Sequence, residues 1–344
     1  MAPFYEEVCK GLAVPIDQPL LDQMKNENQT KLKAFEEEIS DAVKNLGESE
    51  VRDAWYRKSE YLCLIGAKDE AVSALRQTYE KTVGIGNRID LVFLQIRLGL
   101  FYMDHPLVTA NVSKAHDLME QGGDWDRKNR LRAYEALYRL SVRDFKAAAD
   151  LFLDAVSTFS SYELMTYEQL IFYTVISAMF SLERPDLRER VIRGPEIQEQ
   201  LQGSPSLSVL KTYLHSLYDC QYDSFFVTLA QLESERLKND RYMAPHYSYY
   251  VRNMRLKAYV QFLTPYKTVG VKAMAEQFGV SPTFIDKELH SLIAAGLVHC
   301  RIDAVRQIIE TNRPDSKNDL YKTLIRDGDI LLNRIQKLAR VINE

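Results

Sequence analysis

Apolar residues recur along most of this chain at steps of three and four, the period of a helix with one buried face. Between residues 20 and 45, Leu32, Phe35, Ile39 and Val43 keep that step among many Glu, Lys and Asn, and Leu21 and Met24 precede them. The pattern predicts a solvated helix with a single apolar stripe. After Gly47 a unit begins that recurs: a small or polar turn, a charged residue, then an Ala-rich helix. Gly66-Ala67-Lys68-Asp69-Glu70-Ala71 opens one copy and Asn111-Val112-Ser113-Lys114-Ala115 another. Val142-Arg143-Asp144-Phe145-Lys146-Ala147 opens a third, and Cys220-Gln221-Tyr222-Asp223-Ser224-Phe225 a later one. Ala71, Ala115 and Ala147 stand 44 and 32 residues apart, and Phe225 follows Ala147 by 78, about two lengths of a helical hairpin. Such a hairpin buries its apolar face only by stacking on neighbours. The pattern therefore favours a mainly α, right-handed, TPR-like helical-repeat solenoid over a set of unrelated amphipathic helices. Gly122-Gly123-Asp124, Gly194-Pro195 and Gly203-Ser204-Pro205-Ser206 read as turns between its helices.

From Ala244 the pattern changes. His246 to Leu263 reads as an aromatic-rich helix, Tyr266 to Val269 as a short strand, and Val271 to Phe278 as a short helix closed by Gly279. Ser281-Pro282 is an N-cap with proline at the first helical position, and the helix it opens ends at Gly296. Leu297 to Ile302 and Val305 to Glu310 are strand-like, with a short turn at Asp303-Ala304. Strand, helix, turn, helix and hairpin in that order predict a winged helix. After Asn312-Arg313-Pro314-Asp315, a capping pair of Ser316 and Asp319 opens a long helix striped by Leu320, Leu324, Leu331, Ile335, Leu338 and Ile342. The domains expected are an N-terminal helical segment (1–45), the solenoid (46–243), the winged helix (244–312) and a C-terminal helix (313–344).

Composition narrows the function. The 344 residues include only 14 Gly and 11 Pro, too few for an all-β chain or a disordered one, and 46% are hydrophobic. A net charge of -4 gives no basic surface overall. No run reaches the roughly 20 apolar residues of a membrane span. The four cysteines are dispersed and read as reduced thiols. No HExxH, HxH, P-loop or dinucleotide fingerprint occurs; Gly84-Ile85-Gly86 follows a helix and reads as a turn. His299 and Cys300, adjacent in a strand, point to opposite faces and make poor co-ligands. No enzyme activity, cofactor or metal is expected. The winged helix raises nucleic-acid binding as an alternative, but over residues 266–312 five cations meet five anions, and a neutral domain gains little from phosphates. Arg241 to Tyr250, rich in Tyr and His, reads as packing where the solenoid meets the winged helix rather than as a base-stacking platform.

A repeat array running into a winged helix and a terminal helix resembles the PCI family of scaffold subunits, found in the proteasome lid, the COP9 signalosome and a translation initiation factor. The blocks that carry this resemblance, to the lid branch most closely, are Gly122 to Arg127, Glu183 to Arg188, Ala244 to Tyr247, Ala294 to Asp303, Glu310 to Asn318 and Leu332 to Leu338. The resemblance implies a non-catalytic scaffold in a cytoplasmic and nuclear hetero-oligomer supporting degradation of ubiquitinated proteins, with a signalosome subunit as the runner-up. It implies that winged helices of neighbouring subunits pack side by side, which marks Val298, Ile302 and Ile308 as contact candidates. It implies too that terminal helices gather in a bundle with those of the lid's deubiquitinating metalloprotease pair, making the stripe from Leu320 to Ile342 the other candidate interface. Subunits of this kind are expected to carry a further helical segment ahead of the position of Met1.

Overall fold

A two-residue turn that recurs at four repeat positions organises most of the chain. In the computed structural model, which describes residues 2–312 and 316–342, Gly66, Met103, Arg143 and Cys220 all adopt left-handed backbone (φ 80°, 53°, 71° and 61°). In each case the next residue donates its amide five residues back: Ala67 to Leu62, Asp104 to Gly99, Asp144 to Arg139 and Gln221 to Ser216, at 2.9–3.1 Å. That bond satisfies a carbonyl the helix end would otherwise leave open. The same residue then begins the following helix. Asp104 and Asp144 cap it directly, their side chains accepting from the Leu107 and Ala147 amides.

The helices of the N-terminal unit, Met1–Leu207, follow from these turns. They are α1 (Ala2–Leu12), α2 (Gln18–Asn45), α3 (Glu48–Ile65), α4 (Lys68–Glu80), α5 (Ile85–Tyr102), α6 (His105–Gly122), α7 (Trp125–Ser141) and α8 (Phe145–Ala155). Then come α9 (Tyr167–Ser181), α10 (Arg184–Leu187), which runs on as a π-helical turn to Ile192, and α11 (Pro195–Gly203). The pairs α3/α4, α5/α6 and α7/α8 are helical hairpins. One expectation fails here. Asn111 lies in the middle of α6, where its buried amide donates to the Leu107 carbonyl at 2.8 Å, so Asn111-Val112-Ser113 is not a turn. The turn of that repeat is Met103-Asp104.

With the turns correctly placed the repeat becomes more even: Gly66, Met103, Arg143 and Cys220 are 37, 40 and 77 residues apart. The last interval holds one further pair, whose connection at Leu182-Glu183 is extended rather than left-handed. Five residues after each turn position stand Ala71, Val108, Ala148, Leu187 and Phe225, all buried. The first two turns are tied to one another. The Tyr102 hydroxyl donates to the Gly66 carbonyl at 2.6 Å, and Lys68 pairs with Asp104 at 2.7 Å. Deeper in, Phe93 stacks on Tyr134 with centroids 4.9 Å apart. The acidic run Glu36-Glu37-Glu38 lies on α2, where Glu36 and Glu38 pair with Lys58 and Arg57 of α3.

The second unit, Ser208–Glu344, starts with α12 (Ser208–Tyr218), α13 (Tyr222–Leu232) and α14 (Tyr247–Leu263). Then follow β1 (Thr268–Gly270), α15 (Val271–Gln277), α16 (Pro282–Ala294), β2 (Cys300–Asp303) and β3 (Ile308–Thr311). The helices α12 and α13, grouped with the solenoid on sequence pattern, belong to this unit. Its core converges on Phe278, whose ring lies 4.8–5.4 Å from those of Tyr222, Phe226, Tyr259 and Phe262. Gly279 and Gly296 take left-handed backbone and end α15 and α16 by the same five-residue amide bond used in the repeats. Ser281 caps α16 by accepting from the Phe284 amide, with Pro282 in the first turn.

The sheet is antiparallel in the order β1-β3-β2, with Val269 opposite Ile309 and Ile309 opposite Ile302. Both hairpin strands are shorter than the apolar runs predict. Asp303 accepts from the amides of Val305 and Arg306, and Gln307 has φ 57°, so residues 304–307 form the turn instead of the first half of β3. Leu297, Val298 and His299 likewise precede β2. The final helix is α17 (Ser316–Ile342). Its expected lead-in at Arg313-Pro314-Asp315, and the Ser316 and Asp319 side chains of the capping pair, lie outside the described residues.

Candidate assembly surface

Among the described residues, nothing covers the apolar stripe of the terminal helix α17. Every described side chain from Lys317 to Arg340 is exposed, including Leu320, Leu324, Leu331, Ile335 and Leu338 at 57–70%. The side chain of Ile342 lies outside the described residues. At 100° per residue these positions fall on one side of the helix. Tyr321, Ile325 and Leu332 are equally exposed and each follows a stripe residue by one position, so they widen the apolar face. Sequence reasoning passed over them because they break the step of three and four, although their apolar identity was plain. Lys322, Arg326 and Arg340 lie off the face, and Arg334 borders it. Full burial of one Leu or Ile is worth roughly 1.5–3 kcal/mol, so a partner covering this face would gain much and solvent gains nothing.

The winged-helix candidates divide. Val298 is buried, and it contributes to the core of its own chain. Ile302, on edge strand β2, and Ile308, on central strand β3, are half-buried. Beside them, Val260, Leu263, Leu297, Val298 and Cys300 line a shallow apolar groove between the end of α14 and the hairpin.

The polar groups of this unit are structural in their geometry. Glu288 of α16 accepts from the Tyr259 hydroxyl at 2.8 Å and pairs with Arg255 at 3.2 Å. Burial, then the adjacent Glu288 carboxylate, pushes the Tyr259 phenol up. Cys300, the first residue of β2, is buried and His299 just before it is exposed, and burial raises the Cys300 thiol. Among the described residues no group of three His, Cys, Asp or Glu is placed to hold a metal ion, and no helix is long and apolar enough to cross a membrane.

Stacked helical hairpins, a winged helix and a terminal helix whose described apolar side chains are exposed define a helical-repeat scaffold subunit of the PCI class. Comparison with known proteins gives the branch. The family profile described as 26S proteasome subunit RPN7 matches residues 17–190, the PCI domain residues 211–313, and the 26S proteasome regulatory subunit RPN7/PSMD6 C-terminal helix residues 321–342. The chain is similar to the 26S proteasome non-ATPase regulatory subunit 6 of Caenorhabditis elegans, at 62% identity over 100% of this chain and 84% of that protein. A homolog of that subunit in Arabidopsis thaliana is 49% identical over 100% of this chain and 88% of its own length. By contrast, COP9 signalosome complex subunit 1 of Arabidopsis thaliana is 25% identical over 88% of this chain and 67% of its own length. The chain belongs to the 26S proteasome regulatory subunit RPN7/PSMD6 family.

Proposed function

We propose that this chain is a non-catalytic scaffold of the lid of the proteasome regulatory particle, and that α17 is the handle by which it joins. The observation that carries the reading is the apolar face of α17, exposed along its described length in a chain whose family is named for a multi-subunit assembly. In this reading the partners are other PCI-type lid subunits and the lid's deubiquitinating metalloprotease pair, met through terminal helices. The winged helix contributes through the β2/β3 hairpin carrying Ile302 and Ile308 and through the groove at the end of α14, rather than through nucleic acid. No reaction, cofactor or metal is assigned to it, and its location follows the assembly, in cytoplasm and nucleus.

The test is the double change Leu331→Asp and Leu338→Asp in the tagged full-length chain. Expected is an isolated protein with unchanged helix content and Tm that no longer captures proteasome lid subunits, as read by mass spectrometry. Unfolding of the variant would make the stripe part of this chain's own core. Undiminished capture would place the handle elsewhere, and signalosome subunits in the wild-type capture would favour the other branch of the family.

A further inference from the structure

A cavity of about 330 Å³ opens in the N-terminal unit between α4, α5 and α6, and its chemistry is unlike the rest of the surface. Its walls include Arg76, Tyr79, Gln95, Asn111 and Lys114, with Glu80 the one acidic residue lining it. Lys114 lies over the Tyr79 ring, its Nζ 3.4 Å from the centroid, and the Arg88 guanidinium is 5.2 Å from that same centroid. Arg88 Nε is committed to the Thr82 carbonyl at 2.6 Å. Among the described residues, Arg76, Arg88 and Lys114 pair with no carboxylate. A cation–π contact orients Lys114 without neutralising it.

Two buried carboxamides complete the wall. Gln95 is 6% exposed and makes no hydrogen bond among the described residues, although its side chain faces the cavity. Asn111 is 5% exposed and uses its Nδ2 on the Leu107 carbonyl, which leaves its second N–H and its oxygen open. The open amide atoms of both residues are not sealed from solvent, so a ligand entering the cavity can take the place of water on them. Burial first, and then the charges of Arg88 and Arg76, hold the Lys114 ammonium below its usual value. The cavity thus presents uncompensated positive charge beside open amide N–H donors.

We infer that this cavity is a receptor for a single carboxylate, an Asp or Glu side chain or the chain end of a partner polypeptide. Lys114 and Arg76 supply the charge, Gln95 and Asn111 the neutral donors. The balance favours a monoanion over a phosphate: two lining cations less Glu80 leave one positive charge, which a carboxylate meets and a dianion exceeds. Val72, Leu107 and Ala110 furnish apolar wall for the stem of the bound residue. The site is separate from α17 and stands whether or not that helix is the assembly handle.

The probe is a fluorescein-labelled decapeptide of glutamate, titrated against the full chain by anisotropy at low salt, with the all-glutamine peptide as control. Expected is saturable binding of the glutamate peptide only, weakened at least tenfold by Lys114→Met and by Gln95→Leu at unchanged Tm. Lys128→Met, on the exposed start of α7, is expected to weaken it less than twofold. Inorganic phosphate at equal ionic strength is expected to compete no better than sulfate. No binding, equal losses for Lys114→Met and Lys128→Met, or selective displacement by phosphate would each overturn the inference.

Discussion

The hydroxyls of Tyr213 and Tyr250 face one another at 3.1 Å inside the second unit, and neither ring has any exposure. One residue lies on α12 and the other on α14, so the pair fixes the first helix of this unit against the helix that leads into the winged domain. Burial pushes both phenols up. Removing the Tyr250 hydroxyl strands that of Tyr213, and a stranded buried hydroxyl costs about 1–3 kcal/mol. Tyr250→Phe is therefore expected to destabilise by that amount in urea unfolding. Adding Tyr213→Phe is expected to cost little more, because the group left unpaired is then gone.

Gly99 permits the close approach of α5 and α6. A Cβ there would stand 2.7 Å from Val108 Cγ2 and 3.4 Å from the Val108 amide nitrogen. In a helix interior Ala is favoured over Gly by about 1 kcal/mol, whereas overpacking a fitted contact costs about 1–3 kcal/mol. Gly99→Ala is expected to lower Tm in spite of its helix propensity. Val108→Ala in the same chain removes the clashing methyl, so the double variant is expected to lose less stability than the two single losses added together.

Glu163 sets an acid limit for the solenoid. It accepts from Arg130 at 2.7 Å and from the Tyr134 hydroxyl at 3.0 Å. Burial pushes its carboxyl up, but the Arg130 hydrogen bond and charge outweigh that and hold it below the ordinary 4.5. A depressed carboxylate contributes stability that is fully present above its unfolded value and is lost as pH falls through the folded one. Between about pH 5 and pH 3 the wild type is expected to lose about 1 kcal/mol more than Glu163→Gln, measured by parallel thermal melts.

What the sequence by itself determined is the kind of protein and the order of its parts. Steps of three and four fix helices because the buried face must recur with the helical turn. Ser281-Pro282 fixes a helix start because proline lacks the N–H that position does not need. The stripe of α17 was legible for the same reason, and its family resemblance followed from blocks spread along the chain.

Tertiary structure decided the register. Gly66 announces its turn, but Met103, Arg143 and Cys220 adopt left-handed backbone that costs a non-glycine residue roughly 1–2 kcal/mol, and only the packing of the hairpins holds them there. The turns at Arg143 and Cys220 were legible from the charged or polar residues and the helix that follow them, but the polar run at Asn111 looked like the turn of its repeat while Met103 was it. Asp303 shortened the β-hairpin in the same way, by capping amides that the apolar pattern had assigned to a strand. The cavity between α4, α5 and α6 depended on tertiary structure most of all. Tyr79, Gln95 and Lys114 come from three different helices, and their spacing in the sequence carries no period that would have brought them together.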